Sequence, residues 1–121
     1  MEGDMNIYYR IMANSEDVIF TLEEVAGSVA KVFNLTVDEM LSKSRRKPLP
    51  DARFIFFRKA IDNVKINGKK PILDTIAKFS NRGDHAVVIN GLKQYKNLYS
   101  TDKEFKRLAD EVSLIKDKLL L

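Results

Sequence analysis

The chain has 121 residues, 45% hydrophobic and 31% charged, with one histidine and no cysteine, which suits one globular domain with a buried core. Disulfides and thiolate metal sites are excluded, and neither a signal peptide nor an apolar run near the ~18 residues of a membrane span is present, so a reducing cytoplasm is the expected compartment. The net charge of +4 is uneven: residues 1–40 carry −6, residues 41–98 carry +10, and residues 99–121 balance.

In chain order, Met5, Tyr8, Tyr9 and Met12 recur at helical spacing, so residues 1–20 read as an extension with a short amphipathic helix over about 5–13. Thr21 and Glu24 form a capping box with Phe20 and Val25 as its hydrophobic staple, and the helix that follows buries Leu22, Val25, Ala26, Val29, Ala30 and Phe33 before ending at Asn34. Thr36 and Glu39 repeat the box, with Leu35 and Met40 as the staple, and predict a short helix over 37–42. Residues 42–50 hold two prolines and four cations and read as a basic loop, which delivers the chain to Asp51 as N-cap of a helix over 52–65. Phe54, Ile55, Phe56, Phe57, Ile61 and Val64 give that helix its apolar bulk.

Asn67 to Lys70 is a turn, and Pro71 suits the first position of a helix over 71–79 that buries Ile72, Leu73, Ile76 and Phe79. The polar break Ser80-Asn81-Arg82-Gly83 precedes a helix over 84–98 with Val87, Val88, Gly91, Leu92, Tyr95 and Leu98 inward. Thr101 and Glu104 make a third capping box, opening a last helix over 102–119 on Phe105, Leu108, Ala109, Val112, Ile115 and Leu119. The fold class is all-α, with five to seven helices.

No pattern in this chain supports catalysis. Gly68-Lys69 lacks the upstream glycine and following hydroxyl of a nucleotide-binding loop, no zinc-binding histidine pair exists, and the carboxylate pairs Glu23/Glu24 and Asp38/Glu39 sit in first helical turns where the helix dipole accounts for them. No enzyme activity, cofactor, metal or small-molecule substrate is expected. The segment from Pro71 to Leu98 has instead the lengths of a helix-turn-helix, whose second helix enters the major groove of DNA with its first residues on base edges. In that frame Asp84 caps the helix or accepts from a cytosine amino group, His85 donates to a base or packs on a thymine methyl, and Arg82 reaches a phosphate or a guanine edge. Lys93 and Lys96, further along, are phosphate contacts or plain solvated lysines. The basic centre of the chain is the footprint of a polyanion partner, or else a solvated lysine-rich surface.

Several stretches together resemble a known family. Val29 to Arg46, reading Val-Ala-Lys-Val-Phe-Asn-Leu-Thr-Val-Asp-Glu-Met-Leu-Ser-Lys-Ser-Arg-Arg, Ile76-Ala77-Lys78-Phe79, and Asp84-His85-Ala86-Val87-Val88 are similar, in order, to elements of the carboxy-terminal DNA-binding domain of the bacterial replication initiator DnaA. The resemblance implies a six-helix fold related to that of the Trp repressor over residues 21–121, with double-stranded DNA as partner. It places Arg82, Asp84, His85 and Ala86 at bases in the major groove. It places Lys43, Ser44, Arg45, Arg46, Lys47 and Arg53 on the backbone and one minor groove, and Lys69, Lys70 and Lys93 at phosphates, with Pro71 beside them as a further DNA-binding residue. Departures are visible: two signature threonines are Ala86 and Val87, Gly83 is extra, and Asp51 stands where the minor-groove arginine is expected, leaving Arg46 or Lys47 to substitute.

The ATPase region that precedes this domain in the family does not precede it in this sequence, so a stand-alone copy without ATP hydrolysis is expected. Its expected setting is a bacterial or phage nucleoid, in replication initiation or its regulation. Residues 1–20 are a strap across the domain, or a surface for a replication protein or a second copy. Rival readings are a protein-interaction module on the same fold with weak or non-specific DNA binding, a small transcription regulator, and an RNA binder with exposed aromatics.

Overall fold

The computed structural model describes residues 20–71 and 73–114. Within them lie six helices: α1 (Leu22–Val32), α2 (Val37–Met40), α3 (Leu49–Asn63), α4 (Leu73–Phe79), α5 (His85–Thr101) and α6 (Lys103–Glu111). No strand occurs among the described residues, only two isolated bridges, Phe20 with Val64 and Ile66 with Lys69. None of these helices is long and apolar enough to cross a membrane. The helix expected over 5–13, Ile72, and the expected helical positions Ile115 and Leu119 lie outside the described residues.

Local chemistry sets most boundaries. Both early capping boxes form: the Thr21 hydroxyl accepts from the Glu24 backbone N–H at 3.1 Å while Glu24 accepts from the Thr21 N–H at 2.9 Å, and Thr36 and Glu39 repeat the exchange at 3.0 and 2.8 Å. Helix α1 ends with Asn34 in the left-handed region (φ 59°), while the Leu35 N–H reaches the Ala30 carbonyl at 2.9 Å and the Asn34 N–H reaches Lys31 at 3.0 Å. That paired return closes the orphan carbonyls of the last turn. Helix α4 ends the same way on Asn81 (φ 59°), with Arg82 N–H on Ala77 and Asn81 N–H on Lys78. The bend of the helix-turn-helix is therefore a helix C-cap built on asparagine.

Several boundaries differ from the sequence reading: α2 ends at Met40 and not at residue 42, α3 at Asn63 and not at 65, Pro71 precedes α4 and does not open it, and α5 runs to Thr101 and not to 98. Helix α3 starts at Leu49, not after Asp51: a proline fits the first turn, where a backbone N–H has no helical partner, so Pro50 is accommodated as the second helical residue and Asp51 sits inside the first turn without capping it. Thr101 is the last residue of α5, its hydroxyl donating to the Asn97 carbonyl at 2.8 Å. Asp102 caps α6 instead, accepting from the Phe105 N–H at 3.0 Å, because a carboxylate one residue on takes the cap and Thr101 stays helical. Helix α6 is also shorter than expected, with Val112 turning extended after Glu111.

Helix α3 is the hub, packed on α1, α2 and α5, while α5 also holds α4 and α6. Ile55, Phe56, Phe57 and Ala60 of α3 are buried among Val25, Ala26 and Val29 of α1, Met40, Ile76, Val88 and Phe105. Phe56 touches Phe57 and Phe79 with ring centroids 5.9 and 5.7 Å apart, and Tyr95 meets Phe105 edge-on at 5.5 Å. Gly91 is a close approach of α5 to α3, since a Cβ there would lie 2.8 Å from Phe57 Cε2 and nearer still to Cδ2. This crossing places the front of α5 beside the loop that leads into α3.

Candidate nucleic-acid interface

The basic loop between α2 and α3 is shaped first by its own serines. The Ser44 N–H donates to the Ser42 hydroxyl at 3.4 Å, and the Arg46 N–H donates to the Ser44 hydroxyl at 3.2 Å. Two arginines then tie the loop down from opposite sides. Arg53 of α3 donates through Nη1 to the carbonyls of Met40 (3.0 Å) and Ser42 (2.9 Å), and through Nη2 to that of Ser44 (2.6 Å). Arg82, from the turn before α5, donates to Leu41 (3.2 Å), Ser80 (3.0 Å) and Ser42 (2.9 Å). A planar guanidinium with fixed donors suits several carbonyls at once, as a lysine ammonium does not. Burial pushes both guanidinium pKa values down, and the charge of Arg82 lowers that of Arg53 further.

This corrects two expectations. Arg53, expected on the phosphate backbone, is only 8% exposed and its donors face inward. Arg82, expected at bases, turns Nη1 and Nη2 to the carbonyls of the basic loop and its own turn, at the edge of the cleft it helps to line. Both act within the chain because carbonyls left open by loop and helix end need partners.

The front of α5 is exposed as expected. Asp84 caps it, accepting from the Ala86 N–H at 2.9 Å. His85 Nδ1 lies 3.2 Å from Asp74 Oδ1 of α4 and 3.3 Å from Asp84 Oδ1, so the imidazole links the two helices of the motif. Ala86 is exposed. Val87, expected inward, is 39% exposed, because burial falls to Val88 and Gly91, the residues that meet α3.

A cleft of about 660 Å³ opens between the basic loop, α3 and α5. Lys43 and Arg45 stand on one side, Phe54 and Phe57 line it from α3, and Ala86, Val87 and Asn90 line it from α5. Asn90 was not singled out from the sequence; its spacing of four from Ala86, which puts both on one helix face, is the signal that marks it.

Other candidates fall elsewhere. Arg46 is exposed beside this cleft's loop without lining it, while Lys47 borders a separate cavity with Asp51, Asp102 and Phe105 on the α6 side. Asp51 shares that side, and burial raises its carboxyl pKa, with Lys47 opposing and Asp102 adding. Lys69 and Lys70 are exposed on a tight turn, where Ile66 and Lys69 exchange backbone hydrogen bonds (2.8 and 3.1 Å) around Asn67 and Gly68, both at positive φ. Pro71, expected among the DNA-binding residues, is buried and precedes α4, so its ring is not presented to solvent as a DNA contact would require. Lys93 is exposed about two turns along α5.

Comparison with known proteins gives one consistent result. The chain is 36% identical over 96 residues to the chromosomal replication initiator protein DnaA of Wolbachia pipientis, covering 79% of the chain and 19% of that protein. It is 32% identical to DnaA of Nautilia profundicola over 78% of the chain and 20% of that protein, and 29% identical to DnaA of Bacteroides thetaiotaomicron over 97% and 25%. The chain thus spans about a fifth to a quarter of the curated relatives it matches. No family model and no solved structure matches it. With the six-helix arrangement around α4 and α5, these matches make the chain a relative of the carboxy-terminal domain of the replication initiator DnaA.

Proposed function

We propose that this domain binds double-stranded DNA, with α5 in the major groove and the Lys43–Arg46 loop along the phosphate backbone. The observation that carries this is the cleft that sets Lys43 and Arg45 beside the exposed front of α5. A +10 segment supplies the long-range attraction, and the similarity to chromosomal replication initiators supports a role in replication initiation or its regulation. Within this reading Lys43, Arg45, Arg46, Lys69, Lys70 and Lys93 meet phosphates, and His85 and Ala86 meet bases. Asp84 caps the reading helix and, through its second oxygen, accepts from a base. Ser44 shapes the loop, and Lys47 meets a phosphate only if the DNA wraps toward α6. Binding and not catalysis is the role proposed for this domain.

Gel filtration with light scattering, with and without random duplex DNA, tests the reading. A complex with duplex supports it; free migration of protein and DNA at low salt overturns it and favours a protein-docking module. Base reading and backbone grip separate by substitution: His85→Ala should erode discrimination among sequences, whereas Lys43→Ala should weaken all sequences about equally.

A further inference from the structure

The polar groups first expected to read bases are largely engaged within the chain. Arg82 Nη1 and Nη2 bind carbonyls, Asp84 Oδ1 caps the helix, and His85 Nδ1 faces Asp74 and Asp84. Asn90 is different: it is exposed, lines the cleft, and its amide makes no side-chain hydrogen bond among the described residues. Ala86 and Val87, one turn earlier on the same face, carry only methyl groups into that cleft. A side-chain amide beside methyl groups complements one kind of base pair. Adenine offers N7 as acceptor and the N6 amino group as donor, and its thymine partner carries the C5 methyl.

We propose that Asn90 is a specificity-determining residue that selects adenine, with Val87 and Ala86 packing on thymine methyls, so that this helix reads A·T pairs. The Asn90 oxygen accepts from N6, and its NH2 group donates to N7. Guanine, with an acceptor at the O6 position, faces that oxygen unfavourably and is rejected. The inference rests on the DNA-binding reading above and deepens it.

Selection of bound duplexes from a random pool tests it, using the full chain, Asn90→Ala and Asn90→Asp. The full chain should enrich adenine at one position, flanked by A·T pairs. Asn90→Ala should lower that preference by about 5- to 150-fold, the range of one good amide–base pairing, and leave affinity for unselected duplex nearly unchanged. Asn90→Asp, which can only accept, should move the preference at that position to cytosine. Identical enrichment by the full chain and Asn90→Ala would overturn the proposal while leaving DNA binding intact, as would duplex binding with no base preference. Absence of any duplex binding would overturn both readings.

Discussion

Arg53 and Arg82 donate to the same acceptor, the carbonyl oxygen of Ser42, each at 2.9 Å. One comes from α3 and the other from the bend of the helix-turn-helix, so this atom is where the basic loop, the hub helix and the turn before α5 are fixed to one another. Two like charges converge there because the carbonyls of Met40, Leu41 and Ser44 surround them with acceptors.

Replacing Arg53 with lysine removes the fork while keeping a positive charge. Arg53→Lys should therefore destabilise the fold by about 1–3 kcal/mol, the cost of leaving buried acceptors unsatisfied. The urea midpoint should fall with an unchanged slope, whereas Lys43→Ala should leave it in place. Equal midpoints for wild type and Arg53→Lys would show that the carbonyls do not depend on this side chain.

Gly91 lets α5 lie against Phe57. Gly91→Ala gains about 1 kcal/mol of helix propensity but drives a methyl group into a buried ring, at an overpacking cost of about 1–3 kcal/mol. Net destabilisation is expected, and a thermal melt should show a midpoint lowered by several degrees. A raised midpoint would mean that α3 and α5 sit further apart than described.

Asp51 gives a pH dependence with a definite sign. Burial raises its pKa above 3.8, so the folded state holds this proton more tightly than the unfolded chain does. Its contribution to stability is present at low pH and lost as pH rises through the folded value. Asp51→Asn should accordingly be more stable than wild type at neutral pH, with the advantage shrinking toward about pH 4. Denaturation curves of both proteins across that range check it, and a constant difference would contradict it.

The sequence made legible what is encoded within a few residues. Thr21 with Glu24 and Thr36 with Glu39 act across three positions, so spacing alone reveals them, and the α4-turn-α5 unit follows from its apolar periodicity. Competition between neighbours was harder to read: Asp102 displaces Thr101 as cap, and α3 starts at Leu49, with Pro50 in its first turn, ahead of Asp51. Long-range polar contacts were invisible. Arg82 meets Ser42 across 40 residues, and nothing in its own neighbourhood separates an arginine that holds a loop from one that holds DNA. Val87 and Asn90 depended on the rotation of α5 about its axis, which Gly91 against Phe57 sets.

The most direct test of the central claim is the salt dependence of duplex binding, followed by fluorescence anisotropy on labelled duplex. Lys43, Arg45, Arg46, Lys69, Lys70 and Lys93 are the six cations assigned to phosphates, so the logarithm of the binding constant should fall against the logarithm of salt concentration with a slope near about −5. Removing Lys43 should reduce that slope by about 1. Binding that does not change between low and moderate salt, or no binding at low salt, would contradict the assignment of this basic loop and reading helix to DNA.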